Sequence, residues 1–225
     1  MARIGRRVGV RRGPRRPGTD LAVARRARLR PDAGRAARSH PGAARDPLHT
    51  LGACTRVLIR RLAAAQIGAT FNQYAGSAVL CGRLADYLER RSDAELLLVG
   101  EAAGYRGARV SGIPFTSERQ LTGTGPAEAS ATIVHRVLEE LALEEHVLLW
   151  NVVPTHPHRP GEPESNRPPR AAEIEASRPF LEALAAGRQV VPVGRVAEAA
   201  LGTAGIRHPS HAGARAFRDG LAARV

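Results

Sequence analysis

Three short apolar runs constrain the fold of this chain more than any other feature of its sequence. They are Glu95–Gly100, His146–Trp150 and Val190–Val193. Continuous apolar runs of four to eight residues are typical of strands buried on both faces, and such strands occur mainly in parallel sheets that are covered by helices. We therefore expect an α/β protein.

The segments between these runs have helical periodicity, with apolar residues three and four positions apart. Helices are predicted over residues 51–61, 76–91, 129–143, 171–186, 196–201 and 214–223, with a turn over 68–74 and a fourth strand over 205–207. Alternation of strand and helix predicts parallel strand pairing with helices on the faces. The expected fold is a three-layer α/β/α sandwich around a short, mostly four-stranded parallel sheet.

The basic charge is concentrated at the amino-terminal end. The chain has 34 basic and 21 acidic residues, and residues 1–50 hold 14 arginines against three acids, a net charge of +11. Residues 51–225 hold 20 arginines against 18 acids and are close to neutral. Residues 1–50 have no sustained apolar period and are expected to be disordered, either as an arm that binds DNA phosphates or as a solvated extension. Residues 51–225 are expected to form one catalytic domain.

Composition excludes several kinds of chemistry. Every basic residue is arginine, so a Walker phosphate loop or a lysine Schiff base cannot be built here. The two cysteines, Cys54 and Cys81, are too few for a disulfide framework or a four-cysteine metal site, and we expect both to be reduced thiols in a cytoplasmic protein. No apolar run approaches the roughly 18 residues of a membrane span.

Polar residues follow the predicted strands. The stretches are Gly100–Gly104, Asn151–Pro154 and Arg207–Ser210. Parallel sheets place their binding sites beyond the carboxyl ends of the strands. These three stretches are therefore expected to meet in one functional site.

In sequence, these stretches resemble the uracil-DNA glycosylase superfamily, most nearly the family 4 type with its Gly-Glu-Ala-Pro-Gly and His-Pro-Ser motifs. The matching segments, in the family's order, are Gly100–Gly104, Gly112–Phe115, Leu149–Val153, Ser165–Pro168, Glu173–Leu181 and Arg207–Ser210. Two departures stand out. Ala103 replaces the proline of the first motif, which we expect to relax that loop, and Thr155 and Ser177 occupy positions of iron–sulfur cysteines. The resemblance is thus to a branch without the cluster, and we expect no metal and no cofactor.

The resemblance assigns roles to individual residues. Glu101 would orient or activate the attacking water, and His208 would stabilise the charge that develops on the uracil ring. Asn151 would read the N3 and O4 groups of a flipped uracil, and Phe115 would stack on it. The other residues implied are the pocket residues Gly100, Ala102 and Gly104, and the DNA contacts Arg167, Arg207, Ser210, His211 and Arg215. Tyr105, at the start of an arginine-containing run next to the first motif, is expected to line the pocket or the DNA groove.

Structural alternatives remain for these residues. Asn151 could close an Asx turn, Phe115 could belong to the core, and Glu101 could be held by backbone N–H groups. The loop after Ser210 lacks the apolar wedge expected of a residue that intercalates into the minor groove.

The function predicted from the sequence is removal of uracil from DNA by a monomeric, cytoplasmic enzyme that associates with the nucleoid through DNA. The absence of lysine predicts a monofunctional glycosylase, because strand nicking by this enzyme class proceeds through an amine Schiff base. Two alternatives are a catalytically weak module of the same fold that binds uracil or abasic DNA, and a generic nucleotide-binding α/β domain.

Overall fold

The computed structural model describes residues 47–225, with side chains from residue 53 onward. The helices in this range are α1 (Pro47–Ala64), α2 (Ala78–Arg90), α3 (Ala108–Ser111), α4 (Glu118–Thr122), α5 (Ala129–Glu140), α6 (Ala171–Ala185), α7 (Arg195–Leu201) and α8 (Ala214–Ala222). The strands are β1 (Thr70–Phe71), β2 (Leu96–Ala102), β3 (Val147–Val153), β4 (His156–Pro157) and β5 (Gln189–Pro192). Helix α1 begins inside the predicted tail; the rest of that tail, residues 1–46, lies outside the described residues.

The central sheet has the strand order β3-β2-β5, and all its strands are parallel. Its three strands are the three apolar runs of the sequence, and β3 is buried along its whole length. Helices α6 and α7 pack directly on these strands. The expected α/β/α architecture is confirmed. Its physical reason is that strands that are apolar on both sides need a helical layer on each face.

The fourth strand is shorter than predicted. The segment 205–207 forms a single parallel bridge, in which Ile206 pairs with Val193 at the end of β5. The Ile206 N–H donates to the carbonyl of Pro192 over 2.8 Å, and the Gly194 N–H donates to the carbonyl of Ile206 over 2.9 Å. The pairing stops there because the chain beyond β5 turns at Gly194, whose φ is 85°, and enters α7 at Arg195. The bridge nevertheless places His208 beside the end of β5.

A second, very small sheet lies where a turn was predicted. Strand β1 falls within residues 68–74 and pairs antiparallel with β4, with Phe71 opposite His156. The stretch between β2 and α5, for which the sequence predicted no helix, contains the short helices α3 and α4. Two-residue pairings between distant segments leave no periodic signal in the sequence.

The register of the central sheet positions the site. Gly100 of β2 lies opposite Asn151 of β3, and both strands end at the same edge. The core beneath that edge is closely packed, with Leu97 and Trp150 fully buried. This edge is therefore a rigid support for the residues that follow the strands. No helix within residues 47–225 is both long and apolar enough to cross a membrane.

Candidate functional site

A small cavity of about 50 Å³ opens at the carboxyl ends of the central strands. Its lining residues come from four parts of the chain and are Glu101, Ala102, Gly104, Ala108, Phe115, Glu128, Ser130, Asn151 and His208. The structure thus brings together both expected catalytic residues and most of the expected pocket residues.

Asn151 is 4% exposed and stands at the strand edge. Its Oδ1 atom lies 2.8 Å from the place where a Cβ on Gly100 would be. Within residues 47–225, its side-chain amide has no hydrogen-bond partner, so the Asx turn considered for it does not form. A buried amide that the fold leaves unbonded is available to a ligand.

The Phe115 ring packs directly over Gly100, so closely that a Cβ on that glycine would overlap the ring edge. Gly100 does not line the cavity itself, but its missing side chain allows the ring and the Asn151 amide to lie side by side. Phe115 is partly exposed and has a φ of 52°, in the left-handed region that non-glycine residues rarely adopt. A strained aromatic residue at a cavity wall suggests a functional constraint.

A dense network of hydrogen bonds holds the Phe115 loop. The Ser111 hydroxyl donates to the carbonyl of Thr116 at 2.6 Å and accepts a 3.1 Å hydrogen bond from the Ile113 N–H. The Thr116 hydroxyl donates to the Pro114 carbonyl and contacts Nε2 of His135 at 3.0 Å. Burial lowers the pKa of His135, which favours its neutral form. These groups supply the support that the strained backbone requires.

The first motif is held by the residue that departs from the family pattern. Ala103 is 1% exposed, and its N–H donates to the Val153 carbonyl at 3.3 Å. Its carbonyl accepts a 2.8 Å hydrogen bond from Nδ1 of the buried His156. A proline at position 103 would have no N–H to make the first bond. The loop is thus fixed by pairing with β3, contrary to the expectation that alanine would relax it.

Glu101 lies at the end of β2 and lines the cavity. Burial raises the pKa of its carboxyl group. Its side chain forms no hydrogen bond or ion pair with the residues that the structure describes, so the backbone N–H alternative is not realised. A desolvated carboxylate with a raised pKa is a stronger base than one in water.

The hydrogen bonds of His208 define its tautomer. The Ser210 N–H donates to Nδ1 of His208 at 3.2 Å, and the Ser210 hydroxyl lies 2.8 Å from the same atom. That hydroxyl also lies 3.0 Å from Nδ1 of His211. Because Nδ1 of His208 accepts, the proton of the neutral ring is on Nε2. Burial, together with the charges of Arg207 and His211, lowers the pKa of His208. The ring is therefore a neutral N–H donor on the cavity wall.

The residues expected to contact DNA divide into two groups. Arg207, His211 and Arg215 are exposed beside the His208 loop, and the expected phosphate contacts remain a prediction for them. Ser210 faces inward, where its hydroxyl bridges two imidazole rings. It positions His208 in this structure, whereas the sequence suggested a phosphate contact.

Arg167 serves the fold, at odds with the DNA contact expected of it. Its guanidinium makes a bidentate ion pair with Glu173, which is 1% exposed, at 2.6 and 2.8 Å. It also donates to the carbonyls of His158 and Pro168. Four hydrogen bonds within the protein use most of the donors that a phosphate would need.

Tyr105 does not line the cavity, so of its two expected placements the DNA groove remains a prediction. The guanidinium carbon of Arg109 lies 4.9 Å from the centre of the Tyr105 ring and 5.0 Å from the centre of the Phe71 ring. The Tyr105 N–H donates to Oδ1 of Asn166 at 2.9 Å. This cation–π stack fastens the first motif to β1.

The sequence did not point to Glu128, which lines the cavity opposite the first motif. It stands at the amino-terminal cap position of α5, where an acidic residue normally bonds the helix. Here its side chain makes no such bond and lies against Gly104 and Gly107. Only tertiary packing reveals this placement.

Thr155 and Ser177, which the sequence resemblance placed at the cluster cysteines of family 4 enzymes, are both fully buried. The Thr155 hydroxyl lies 2.6 Å from that of Thr70. Within residues 47–225, no group of three or more His, Cys, Asp or Glu side chains could hold a metal ion.

Comparisons with known proteins bear on this arrangement. The family model described as the uracil DNA glycosylase superfamily matches residues 88–223, and no curated protein matches the chain. A crystal structure of wild-type SMUG2 from Pedobacter heparinus matches with a TM-score of 0.59 and 14% identity, over 76% of this chain and 95% of that chain. This likeness supports the fold, and the family model covers more than half of the chain, including every cavity residue. The chain therefore belongs to the uracil DNA glycosylase superfamily.

Proposed function

We propose that this protein is a monofunctional uracil-DNA glycosylase that hydrolyses the bond between uracil and deoxyribose and leaves an abasic site. The observation that carries the proposal is the convergence of the unbonded Asn151 amide and the His208 imidazole on one cavity. An amide offers both a donor and an acceptor, which suits the N3–H and O4 groups of uracil. The joint presence of Asn151 and His208 in one cavity argues against a generic nucleotide-binding domain.

Uracil must leave the DNA helix to reach this cavity. The enzyme class flips the target nucleotide out of the stack and reads its edge in a pocket. Phe115 would stack on the flipped ring, a contact worth about 1–3 kcal/mol. The rigid support of Asn151 on β3 favours discrimination between uracil and other bases, because the Asn151 amide cannot move away from a wrong base.

The bond between C1′ and N1 then breaks, and its electron pair leaves with the uracil. Negative charge accumulates on the ring, mainly at O2, where the Nε2–H of His208 would donate a hydrogen bond. A preorganised donor of this kind contributes about 10²–10³ in rate. A water molecule attacks C1′, and Glu101 accepts its proton. The raised pKa of Glu101 supports this role as base.

Within the superfamily, the nearest type we propose is family 4, in a branch without the iron–sulfur cluster. The motifs around Glu101 and His208 support the family 4 assignment. The buried Thr155 and Ser177 support a branch without the cluster. The chain has no lysine to form a Schiff base with the abasic sugar. That composition supports base removal by water, without strand nicking. A monomer in the cytoplasm remains part of the proposal.

The test is incubation of the protein with a uracil-containing oligonucleotide, followed by alkali and measurement of strand scission. We expect scission after alkali only, and a loss of about 100-fold or more in both Asn151→Ala and His208→Ala. His146→Ala is the matched control, because His146 is exposed and remote from the cavity. If scission survives in both Asn151→Ala and His208→Ala, the assignment of these two residues to the active site is wrong.

The alternative of a weak binding module gives a different result. It predicts uracil-dependent retardation of the oligonucleotide on a gel without any scission. Strand cutting before alkali would contradict the monofunctional mechanism.

A further inference from the structure

Ser210 joins two imidazole rings in a chain of hydrogen bonds that ends at the cavity. The Ser210 N–H donates to Nδ1 of His208 at 3.2 Å, and the Ser210 hydroxyl lies 2.8 Å from the same atom. On its other side, this hydroxyl lies 3.0 Å from Nδ1 of His211. The chemistry proposed above uses His208 and gives His211 no part.

The number of protons fixes the direction of each hydrogen bond in this chain. Nδ1 of His208 accepts from the Ser210 N–H, so it carries no proton of its own. The hydroxyl proton of Ser210 is therefore the one that joins Ser210 to Nδ1 of His208. A hydroxyl has only one proton, so at the other contact its oxygen accepts, and Nδ1 of His211 is the donor. The chain runs from His211 through Ser210 to His208.

The backbone of this loop is bent in a way that keeps His211 on Ser210. His211 and Ala212 have φ values of 51° and 59°, so two adjacent non-glycine residues adopt the left-handed conformation. The Gly213 N–H closes the turn by donating to the Ser210 carbonyl at 3.0 Å. A Cβ on Gly213 would overlap the carbonyl oxygen of His208. Non-glycine residues rarely adopt this conformation, and such strain clusters at functional sites, where neighbouring contacts hold it.

We infer that His211 is a positioning residue that acts through the Ser210 hydroxyl to strengthen the hydrogen bond from His208 to the departing base. This inference rests on the proposed function. Two hydrogen bonds into Nδ1 of His208 draw electron density from the ring and make its Nε2–H a stronger donor. The bond from His211 polarises the Ser210 hydroxyl and keeps its proton directed at His208, because hydrogen bonds in a chain reinforce one another.

A contact between this loop and a DNA phosphate gives a different prediction. The only proton of the Ser210 hydroxyl is donated to His208, so none is left for a phosphate oxygen. A phosphate contact from the exposed His211 ring would contribute to DNA affinity and to its salt dependence. The hydrogen-bond chain instead acts where charge develops on uracil, so it affects the rate of bond cleavage once the DNA is bound.

The first measurement compares the rate of excision with the affinity for DNA. Single-turnover excision at saturating enzyme gives the rate of the chemical step. Fluorescence anisotropy gives the affinity, with a duplex that carries the uncleavable 2′-β-fluoro-2′-deoxyuridine. In His211→Ala the rate should fall by about three- to tenfold, as expected for the loss of one hydrogen bond, and the affinity should equal that of the wild type.

A conservative variant and a matched control accompany this measurement. His211→Asn should restore the rate, because asparagine has an N–H donor at the same distance along its side chain and tolerates a positive φ. His146→Ala should keep the wild-type rate, because His146 is exposed and remote from the cavity.

A double-mutant cycle tests whether His211 acts through Ser210. Ser210→Ala removes the hydroxyl and leaves the backbone N–H bond to His208 in place, so it should lose at least as much rate as His211→Ala. In the Ser210→Ala background, His211→Ala should cause no further loss, because its effect passes through the missing hydroxyl. Losses that multiply in the double variant show independent action of the two residues and overturn the inference.

The imidazole nitrogen resonances of His208 report the hydrogen-bond chain without any substrate. In long-range ¹H–¹⁵N spectra of the wild type, Nε2 should resonate as a protonated nitrogen, and Nδ1 should lie upfield of an imidazole nitrogen with a free lone pair. His211→Ala should move the Nδ1 resonance downfield toward that free position, whereas His211→Asn should leave it in place. An Nδ1 resonance that stays unchanged in His211→Ala overturns the inference.

These outcomes separate the two proposals. A wild type that shows the expected His208 resonances but leaves uracil in the DNA refutes the proposed function. A wild type that excises uracil while His211→Ala keeps the full rate refutes only the role of His211, and so does a loss in His211→Ala that consists entirely of weaker DNA binding. Thermal unfolding of each variant, expected to match the wild type within a few degrees, checks that the variants are folded.

Discussion

Replacing Arg167 by methionine should destabilise the protein strongly and affect DNA binding little. The Glu173 carboxylate accepts two hydrogen bonds from Arg167, one from the Arg170 N–H at 2.8 Å and one from the Ala69 N–H at 3.3 Å. Methionine keeps much of the side-chain volume but leaves the carboxylate buried with only the two backbone donors.

The magnitude follows from burial. The side chains of Arg167 and Glu173 are only 12% and 1% exposed, so solvent screens little of the lost interaction. Breaking a buried pair by removing one partner costs about 3–5 kcal/mol. At roughly 2–4 °C per kcal/mol for a domain of this size, the melting temperature should fall by roughly 6–20 °C.

The assay is urea unfolding followed by circular dichroism, with Arg215→Met as the matched control. Arg215 is 94% exposed, and its ion pair with Asp219 is long, at 3.6 Å. Such a surface pair contributes about 0–1 kcal/mol, so this control should unfold like the wild type. In a DNA-binding assay the two variants should show the opposite order of effect, because Arg215→Met should bind DNA more weakly than Arg167→Met.

The pH dependence gives an independent check. Burial alone would raise the pKa of Glu173, but the hydrogen bonds from Arg167 and the backbone outweigh it and hold the pKa below the ordinary value. A carboxyl group whose pKa is lower in the folded state than in the unfolded state stabilises the protein at pH values above its unfolded pKa of about 4.3. This stabilisation is lost as the pH falls through the pKa of the folded state. Glu173→Gln should lose this acid dependence. If Arg167→Met unfolds within about 1 kcal/mol of the wild type at pH 7, the reasoning is refuted.

Further predictions concern the site and the tail. The imidazole of His208 should titrate below its ordinary pKa of about 6.5 in an NMR pH series, and excision should be independent of pH above that value; a raised pKa would contradict the neutral donor. Phe115→Gly should relieve the strained φ of 52° but lose the packing of the ring against the core, so the free energy of unfolding should fall by about 1–3 kcal/mol, while binding of uracil DNA weakens by about 1–3 kcal/mol; unchanged binding would remove Phe115 from the stacking role. Deleting residues 1–46, with their 14 arginines, should reduce the slope of log Kd against log salt, and an unchanged slope excludes a DNA-binding arm.

Much of the fold could be predicted because its strands are buried on both faces. The apolar runs became β2, β3 and β5, and the polar residues after them met at one edge because parallel strands end together. Asn151 and His208 reach the same cavity for that reason. What failed was the detail that depends on distant partners, such as the pairing of β1 with β4 and the reduced fourth strand.

The site residues show the same division. Glu101 and Phe115 line the cavity as expected, whereas Tyr105 joins a cation–π stack and Arg167 an ion pair. An arginine in a polar loop has the same local sequence pattern whether it binds phosphate or a buried carboxylate. Its role depends on which acidic group the fold brings near it.

The sequence by itself determined the parallel sheet, the strand-end location of the site and the absence of any lysine side chain for Schiff-base chemistry. These depend on local hydrophobicity and residue identity. Only the tertiary structure decided the tautomer of His208, the hydrogen bonds that fix Ala103 and the presence of Glu128 in the cavity. Each of these depends on contacts between side chains and backbone groups that the folded chain brings together, and such contacts determine desolvation, protonation and hydrogen-bond direction.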